Sequence, residues 1–376
     1  MNEDMTNSGE EVREAEALGF PCKSCGNQMV YSPAHGKLHC AYCDSTVEIG
    51  SDRTEAPEHL YFPDEDTYNA PAWDQRGEVM LICPSCGADT LMGAAAMTAT
   101  CPFCSSHYVT EAQKDETLIS PETMIPFRIS EEAAKVSFAQ WAKKRWLAPK
   151  KFRAQAHKPE MQGMYIPYWT FDASLTTDFS GFGGRRRIEH YTVRVNGKTQ
   201  TRTRTRTDWY PIHGREHLDF DNIPCPATKK VDRALLDKVG PYSLCVLNVY
   251  NPAYLAGFFA ERYSVGLGEG FSEVRRVMER RMEAHVEASL GYDTYRGMHY
   301  DHHFTDVKFK HILLPLWLAS YRYRDKTYQF MVNGETGKTA GKFPISALKV
   351  GLLVAGGIAL AGLIIMALFF GGGTPY

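Results

Sequence analysis

The sequence has 376 residues, 44% of them hydrophobic and 23% charged, with a formal net charge of -2. That length allows two or three domains, and that composition excludes both a disordered chain and a uniformly basic nucleic-acid binder. The near-neutral total hides a split: residues 1–119 hold 20 acidic and 6 basic side chains, leaving 24 and 36 of the totals of 44 and 42 for the remainder. The N-terminal third is thus near -14 and the rest near +12, an asymmetry that bears on partners and solubility rather than on fold.

Residues 1–20 are acidic, lack an apolar run and lack a basic start, so they read as a disordered leader and not as a secretory signal. Beyond them lie eight of the ten cysteines, in four Cys-x-x-Cys pairs. Cys22, Cys25, Cys40 and Cys43 recur as Cys83, Cys86, Cys101 and Cys104, each displaced by 61 residues. Two short knuckles joined by a hairpin supply the four thiolates that tetrahedral zinc takes, so two Zn2+ ions are expected. A redox or iron–sulfur site is the competing reading, but each set of four is complete and leaves no resolving thiol. The implied units are zinc ribbon 1 at 21–49, an acidic linker at 50–78 that carries Tyr61, Phe62, Tyr68 and Trp73, and zinc ribbon 2 at 79–110. Each ribbon has few apolar side chains, so metal must supply most of its folding free energy, on the order of 10 kcal/mol or more. Both zincs read as structural. Nucleic acid is disfavoured as the ribbons' partner, because phosphate binding needs clustered Lys and Arg and this segment is acidic; protein docking fits better.

Residues 111–344 mix helix and strand signals. Ser130 is placed to cap a helix reaching about Leu147, and Ser272 another that Gly291 closes, with Val274, Val277, Met278, Met282 and Val286 on one face. Arg275, Arg276, Arg280 and Arg281 read as its solvated face. Asn196-Gly197 marks a two-residue hairpin over Arg187–Asp208 that pairs Tyr191 with Arg202, Glu189 with Arg204 and Arg187 with Arg206. Together with Arg185 and Arg186 this makes a cationic blade whose like-charge pairs an anion would relieve. Anionic lipid, an acidic protein surface and nucleic acid are its candidate ligands, against the plainer reading of a solubilising hairpin. The uncharged run Val239–Ala260 carries Asn248, Asn251 and Pro252, which favours a buried strand at Ser243–Tyr250 and a following helix over membrane contact. Cys225 and Cys245 read as core residues. His299, His302, His303 and His311 lack a metal-ligand spacing. A last hairpin, Pro315–Arg324 with Thr327–Val332, turns again at Asn333-Gly334.

Val350–Phe370 is an uncharged run of 21 residues, roughly 32 Å of helix against a hydrocarbon core of ~30 Å, and the segment 345–371 is expected to span a membrane, followed by a short tail at 372–376. A buried core helix is the alternative, less suited to so long and uniformly apolar a run. Lys342 and Lys349 precede it, which by the positive-inside rule puts the N-terminal domains in the cytoplasm and the helix in the inner (plasma) membrane as a single pass. Gly351, Ala355 and Ala359, with Gly357 and Ala361, form small-residue stripes suited to homo- or hetero-oligomer contacts.

The expected fold class is α+β: two N-terminal four-cysteine ribbons, a mixed α+β cytoplasmic domain with a basic hairpin, and one C-terminal transmembrane helix. The Cys-x-x-Cys-Gly knuckles, Tyr165-Ile-Pro-Tyr-Trp169, Tyr254-Leu-Ala-Gly257-Phe, Val332-Asn-Gly-x-Thr-Gly-Lys338 and the terminal helix together resemble the bacterial TFIIB-type zinc-ribbon membrane proteins of the YdjG kind. Members are often labelled primosomal protein N′ or superfamily II helicase. The resemblance implies a membrane-bound scaffold associated with PspA-like and SPFH-type envelope-stress proteins. The helicase label fails on the residues: Gly197-Lys-Thr199 and Gly337-Lys-Thr339 have Thr192 and Val332 where a P-loop needs its first glycine. Nor does any hydrolase, zinc-protease or dinucleotide motif assign a reaction, so the chain reads as a non-enzyme adaptor, with a membrane-tethered nucleic-acid binder as the alternative.

Overall fold

The computed structural model describes residues 20–50, 57–70, 78–93, 101–104, 106, 118–149, 152, 161–195, 197–323 and 326–370. Residues 1–19 of the acidic leader, Trp73, Asn196 and the tail fall outside them. The ribbon strands come first: β1 (Val30–Ser32), β2 (Lys37–His39) and β3 (Thr46–Val47) form a small antiparallel sheet. After them come β4 (His59–Phe62), β5 (Thr67–Tyr68), β6 (Glu78–Ile82), β7 (Asp89–Gly93), β8 (Thr123–Met124) and helix α1 (Glu131–Lys143). The body continues with β9 (Gln162–Val195), β10 (Lys198–Pro226), α2 (Arg233–Val239), β11 (Asn248–Val249), a 3-10 turn (Pro252–Leu255), β12 (Phe259–Glu261) and α3 (Leu267–Leu290). Last come β13 (Thr294–Tyr323), β14 (Lys326–Asn333), β15 (Thr339–Gly341) and α4 (Ala347–Phe370).

The expected short hairpin is the tip of something much longer. Strand β9 runs for 34 residues, ~110 Å of extended chain, between antiparallel β10 on one side and β13 on the other. Every cross-strand pair expected at the tip is present, from Val195 opposite Lys198 to Arg187 opposite Arg206. Three irregularities bend the blade: Phe220/Ile223 in β10, and Arg296/His299 and Thr305/Lys308 in β13, where Asn222, Gly297 and Asp306 take positive φ. Past the end of β10, the short β12 takes its place beside β9 in parallel and carries β7 and β6 into the same sheet. On the far edge β13 pairs with β4, β8 and β14. From Phe171 to Phe179 buried and partly exposed side chains of β9 alternate, and the apolar buried set (Trp169, Phe171, Ala173, Leu175, Phe179) lies under α3.

Helix α1 is capped by Ser130, whose hydroxyl accepts from the Ala133 N–H at 3.3 Å, but it ends at Lys143, short of Leu147. Helix α3 starts at Leu267, ahead of Ser272, whose hydroxyl instead donates back to the Gly268 carbonyl at 2.9 Å. Its first turns hide behind glycines because Gly270 lies against the indole of Trp169, where a Cβ would sit 2.9 Å from the ring. Gly291 closes it at φ 63°, as its position in the sequence suggests.

Of the expected strand at Ser243–Tyr250 only Asn248–Val249 is strand, and the following helix is the 3-10 turn, capped by the Asn251 side chain on Ala253 N–H at 2.9 Å. Tyr254, Leu255 and Phe258 are buried in the body. Cys225 is buried, whereas Cys245 is exposed and not a core residue. Part of the acidic linker is ordered: Tyr61 on β4 is buried against Phe271 and Phe309, and its hydroxyl donates to Asp66 at 2.7 Å.

Candidate metal centres

Each ribbon turns its chain around the metal position in the same way. In the first, Gly26 N–H bonds back to the Cys22 carbonyl at 2.8 Å with Gly26 at φ 77°; in the second, Gly87 N–H bonds to the Cys83 carbonyl at 2.8 Å with Gly87 at φ 64°. A side chain at either glycine would be strained in that left-handed backbone. Asp44 plays the same part after Cys40, its N–H on the Cys40 carbonyl at 2.9 Å and its φ at 56°.

The four sulfurs of each set lie within 4.8 Å of one another. Cys22–Cys43 and Cys25–Cys40 are 3.5 Å apart, Cys83–Cys104 3.6 Å and Cys86–Cys101 3.7 Å. Thiolates at ~2.3 Å from a central zinc in a tetrahedron stand about 3.8 Å apart, so both sets fit the ion closely. These distances are far too long for disulfides, and all eight thiols are free. Both sites are closed by four protein sulfurs, the arrangement of a structural zinc.

A second layer repeats with the first. Ser45 Oγ lies 3.1 Å from Cys43 Sγ, and Ser106 Oγ lies 3.0 Å from Cys104 Sγ and 3.1 Å from Cys83 Sγ. Extending the 61-residue comparison beyond the cysteines pairs these serines, so the signal was in the sequence.

The ribbons are built into the body. In the first, Tyr31 is buried, its hydroxyl donating to the Phe127 carbonyl at 2.9 Å, its N–H to the Ala256 carbonyl at 2.9 Å, and its ring edge-on to Tyr254 at 5.1 Å. In the second, Cys83, Ala88, Cys101 and Phe103 share a core with Leu235, Leu236 and Val239 of α2. The Phe103 carbonyl accepts from Ser320 Oγ at 3.0 Å and Gln329 Nε2 at 3.3 Å.

At the blade tip the structure gathers Arg185, Arg187, Arg202, Arg204 and Arg206 on one face and places Arg186 on the other, by strict alternation along the paired strands. The opposed arginines do not wait for an outside anion. Arg187 reaches Asp208 at 2.9 Å and Glu189 at 3.0 Å; Arg204 and Arg206 reach Glu189 at 2.8 and 3.4 Å. Arg204 chiefly holds the Glu189 carboxyl below its usual range. Arg185 stacks on Tyr292, and Arg204 on Tyr191. Two carboxylates within the hairpin thus relieve the like charges of Arg187, Arg204 and Arg206, the part expected of an external anion.

The uncharacterized protein YdjG of Bacillus subtilis (strain 168) is 30% identical to this chain over 360 residues, covering 95% of the chain and 99% of the relative. The chain belongs to the YdjG family. Membership is not carried by the cysteines alone, since the match runs far beyond the ribbons. No family model and no solved structure matches. With the two four-sulfur sites and with α4, whose residues Ala347–Met366 form a helix long and apolar enough to cross a membrane, this YdjG-family chain is a zinc-binding protein fitted for membrane association.

Proposed function

We propose that the chain is a non-enzymatic adaptor: α4 holds it in the plasma membrane with ribbons, body and blade on the cytoplasmic side, and the blade tip docks a protein partner. The observation that carries this reading is the composition of the tip. Three of its arginines, Arg187, Arg204 and Arg206, are engaged by Glu189 and Asp208, while Tyr191 and Tyr210 stand exposed on the same face and Ile188, 69% exposed, stands on the other. A phosphate-binding surface keeps its guanidinium groups free for the ligand, whereas internally paired Arg beside exposed Tyr is what protein interfaces use. The zinc sites stiffen the other end of the same body. The small-residue stripes of α4 offer a further contact, to a second copy or another membrane helix.

A photo-crosslinking residue at Tyr191 in the full-length chain, expressed in its host and irradiated in intact membranes, tests the proposal. Discrete protein adducts are expected, and the family resemblance directs their identification to PspA-like and SPFH-type proteins. Adducts to nucleic acid would transfer the tip to the alternative reading, and labelling no stronger than at a control position in β5 would remove its docking role.

A further inference from the structure

We propose that the C-terminal turn of α1 and the root of α4 form a docking collar for an anionic phospholipid surface, with Trp146 in the interfacial layer and Lys143 and Lys144 against the headgroups. The inference rests on the reading that α4 crosses the membrane.

The two helices are tied where α4 begins. Lys349, in the first turn of α4, donates to the carbonyls of Trp146 at 2.5 Å and Ala148 at 2.7 Å, and the Ser346 N–H bonds to the Leu147 carbonyl at 3.0 Å. A lysine at the end of a membrane helix carries its ammonium toward the interface, and here protein carbonyls receive it. Once α4 is inserted, the segment 146–148 is therefore fixed at the hydrocarbon boundary. None of the residues in the apolar window of α4 is buried in the protein, so this plane is where lipid begins.

The side chains at that height suit it. Trp146 is 55% exposed, Ile345 62% and Leu348 76%, three large apolar groups beside one another in sequence or through the Lys349 tie. Tryptophan at this level is the residue that the headgroup layer favours. Lys143 and Lys144 are exposed at the end of α1, whereas its acids, Glu131 and Glu132, lie in the first turn, ~20 Å away along the helix. Arg145 stacks on Trp141 at 4.7 Å and on Phe343 at 5.7 Å, which ties the turn to the segment that enters α4. The charges at the end of α1 and the start of α4, Lys143, Lys144, Arg145 and Lys349, are all cationic, the sign that attracts the anionic leaflet. The collar would set the tilt of the body above the bilayer, which a single flexible anchor cannot.

Full-length chain in nanodiscs, with phosphatidylglycerol in phosphatidylcholine or phosphatidylcholine alone, provides the test. Acyl-brominated lipid should quench a component of the fluorescence of the six tryptophans that disappears in Trp146→Phe. Lys143→Gln with Lys144→Gln should lower the docking equilibrium roughly fivefold per lysine, visible as weaker quenching in anionic discs only. Resistance of α4 to alkaline extraction, measured on the same samples, separates the two readings. Firm insertion with quenching unchanged by Trp146→Phe overturns the collar alone; firm insertion with quenching indifferent to lipid charge and to the lysines overturns its anionic specificity; failure of α4 to insert overturns the collar together with the membrane reading.

Discussion

Replacing Tyr31 by alanine should undock the first ribbon while leaving its zinc in place. The ring is buried among Tyr254, at 5.1 Å edge-on, and Phe258, at 6.2 Å, and its hydroxyl satisfies the Phe127 carbonyl. Truncating a buried aromatic side chain to alanine costs ~3–5 kcal/mol, and stranding a buried carbonyl acts in the same direction. None of the four ligand sulfurs is touched, so metal content should stay at two ions per chain. Hydrogen exchange is the assay, read over the ribbon and over the 252–258 segment beneath it. A loss of ~4 kcal/mol lowers protection by about three orders of magnitude wherever undocking is the opening event. Tyr31→Phe keeps the packing and forfeits only the hydrogen bond, so its loss should be about tenfold. Two results would refute the reasoning: unchanged protection in the 252–258 segment of Tyr31→Ala, or loss of zinc together with docking.

Metal analysis of the unaltered chain should find two zinc ions, with Cys40→Ser and Cys101→Ser each retaining one; iron, or a single ion in the unaltered chain, would contradict the four-sulfur geometry. Burial pushes the carboxyls of Glu122 and Glu261 up to about 8 in the fold. The folded chain therefore holds protons that the unfolded chain releases above about 4.5, so the stability these groups contribute is complete below that pH and declines as pH rises to about 8. His59, lowered by burial and 2.8 Å from Glu122, works in the opposite direction only below about 6.5. Denaturation midpoints in detergent should accordingly fall between about pH 6.5 and 8 and fall less in the Glu122→Gln, Glu261→Gln double variant; parallel pH profiles would show that these carboxyls are not the source.

How much could be read in advance depended on how local the physics is. The zinc ligands were legible because a four-sulfur site is written in two short spacings, and the repeat doubled the signal. The register of the tip was legible because one Asn-Gly turn fixes the phase of both strands. The length of the blade was not: Asn222, Gly297 and Asp306 each insert an extra residue and reset the alternation, while Gly181, Gly183 and Gly184 look like loop. Strand β4 was hidden for another reason. It sits in an acidic stretch, and its partner on β13 lies far along the chain, as the Lys308–Glu58 pair at a separation of 250 residues shows. Glu189 was visible opposite Arg204, but its hold on three arginines depends on side-chain reach, which pairing alone does not reveal.

The seating of β7 against β12 has a consequence for the order in which the chain is made. Ribosomal synthesis delivers Gly93 well before Glu261, and at about 5–20 residues per second the interval is roughly 10–30 s. Both four-cysteine sets are complete by Cys104, so metal can close them at once, whereas the strand that covers β7 does not yet exist. During that interval zinc closes the two ribbons, and the open edge of β7 waits for a partner from later in its own chain.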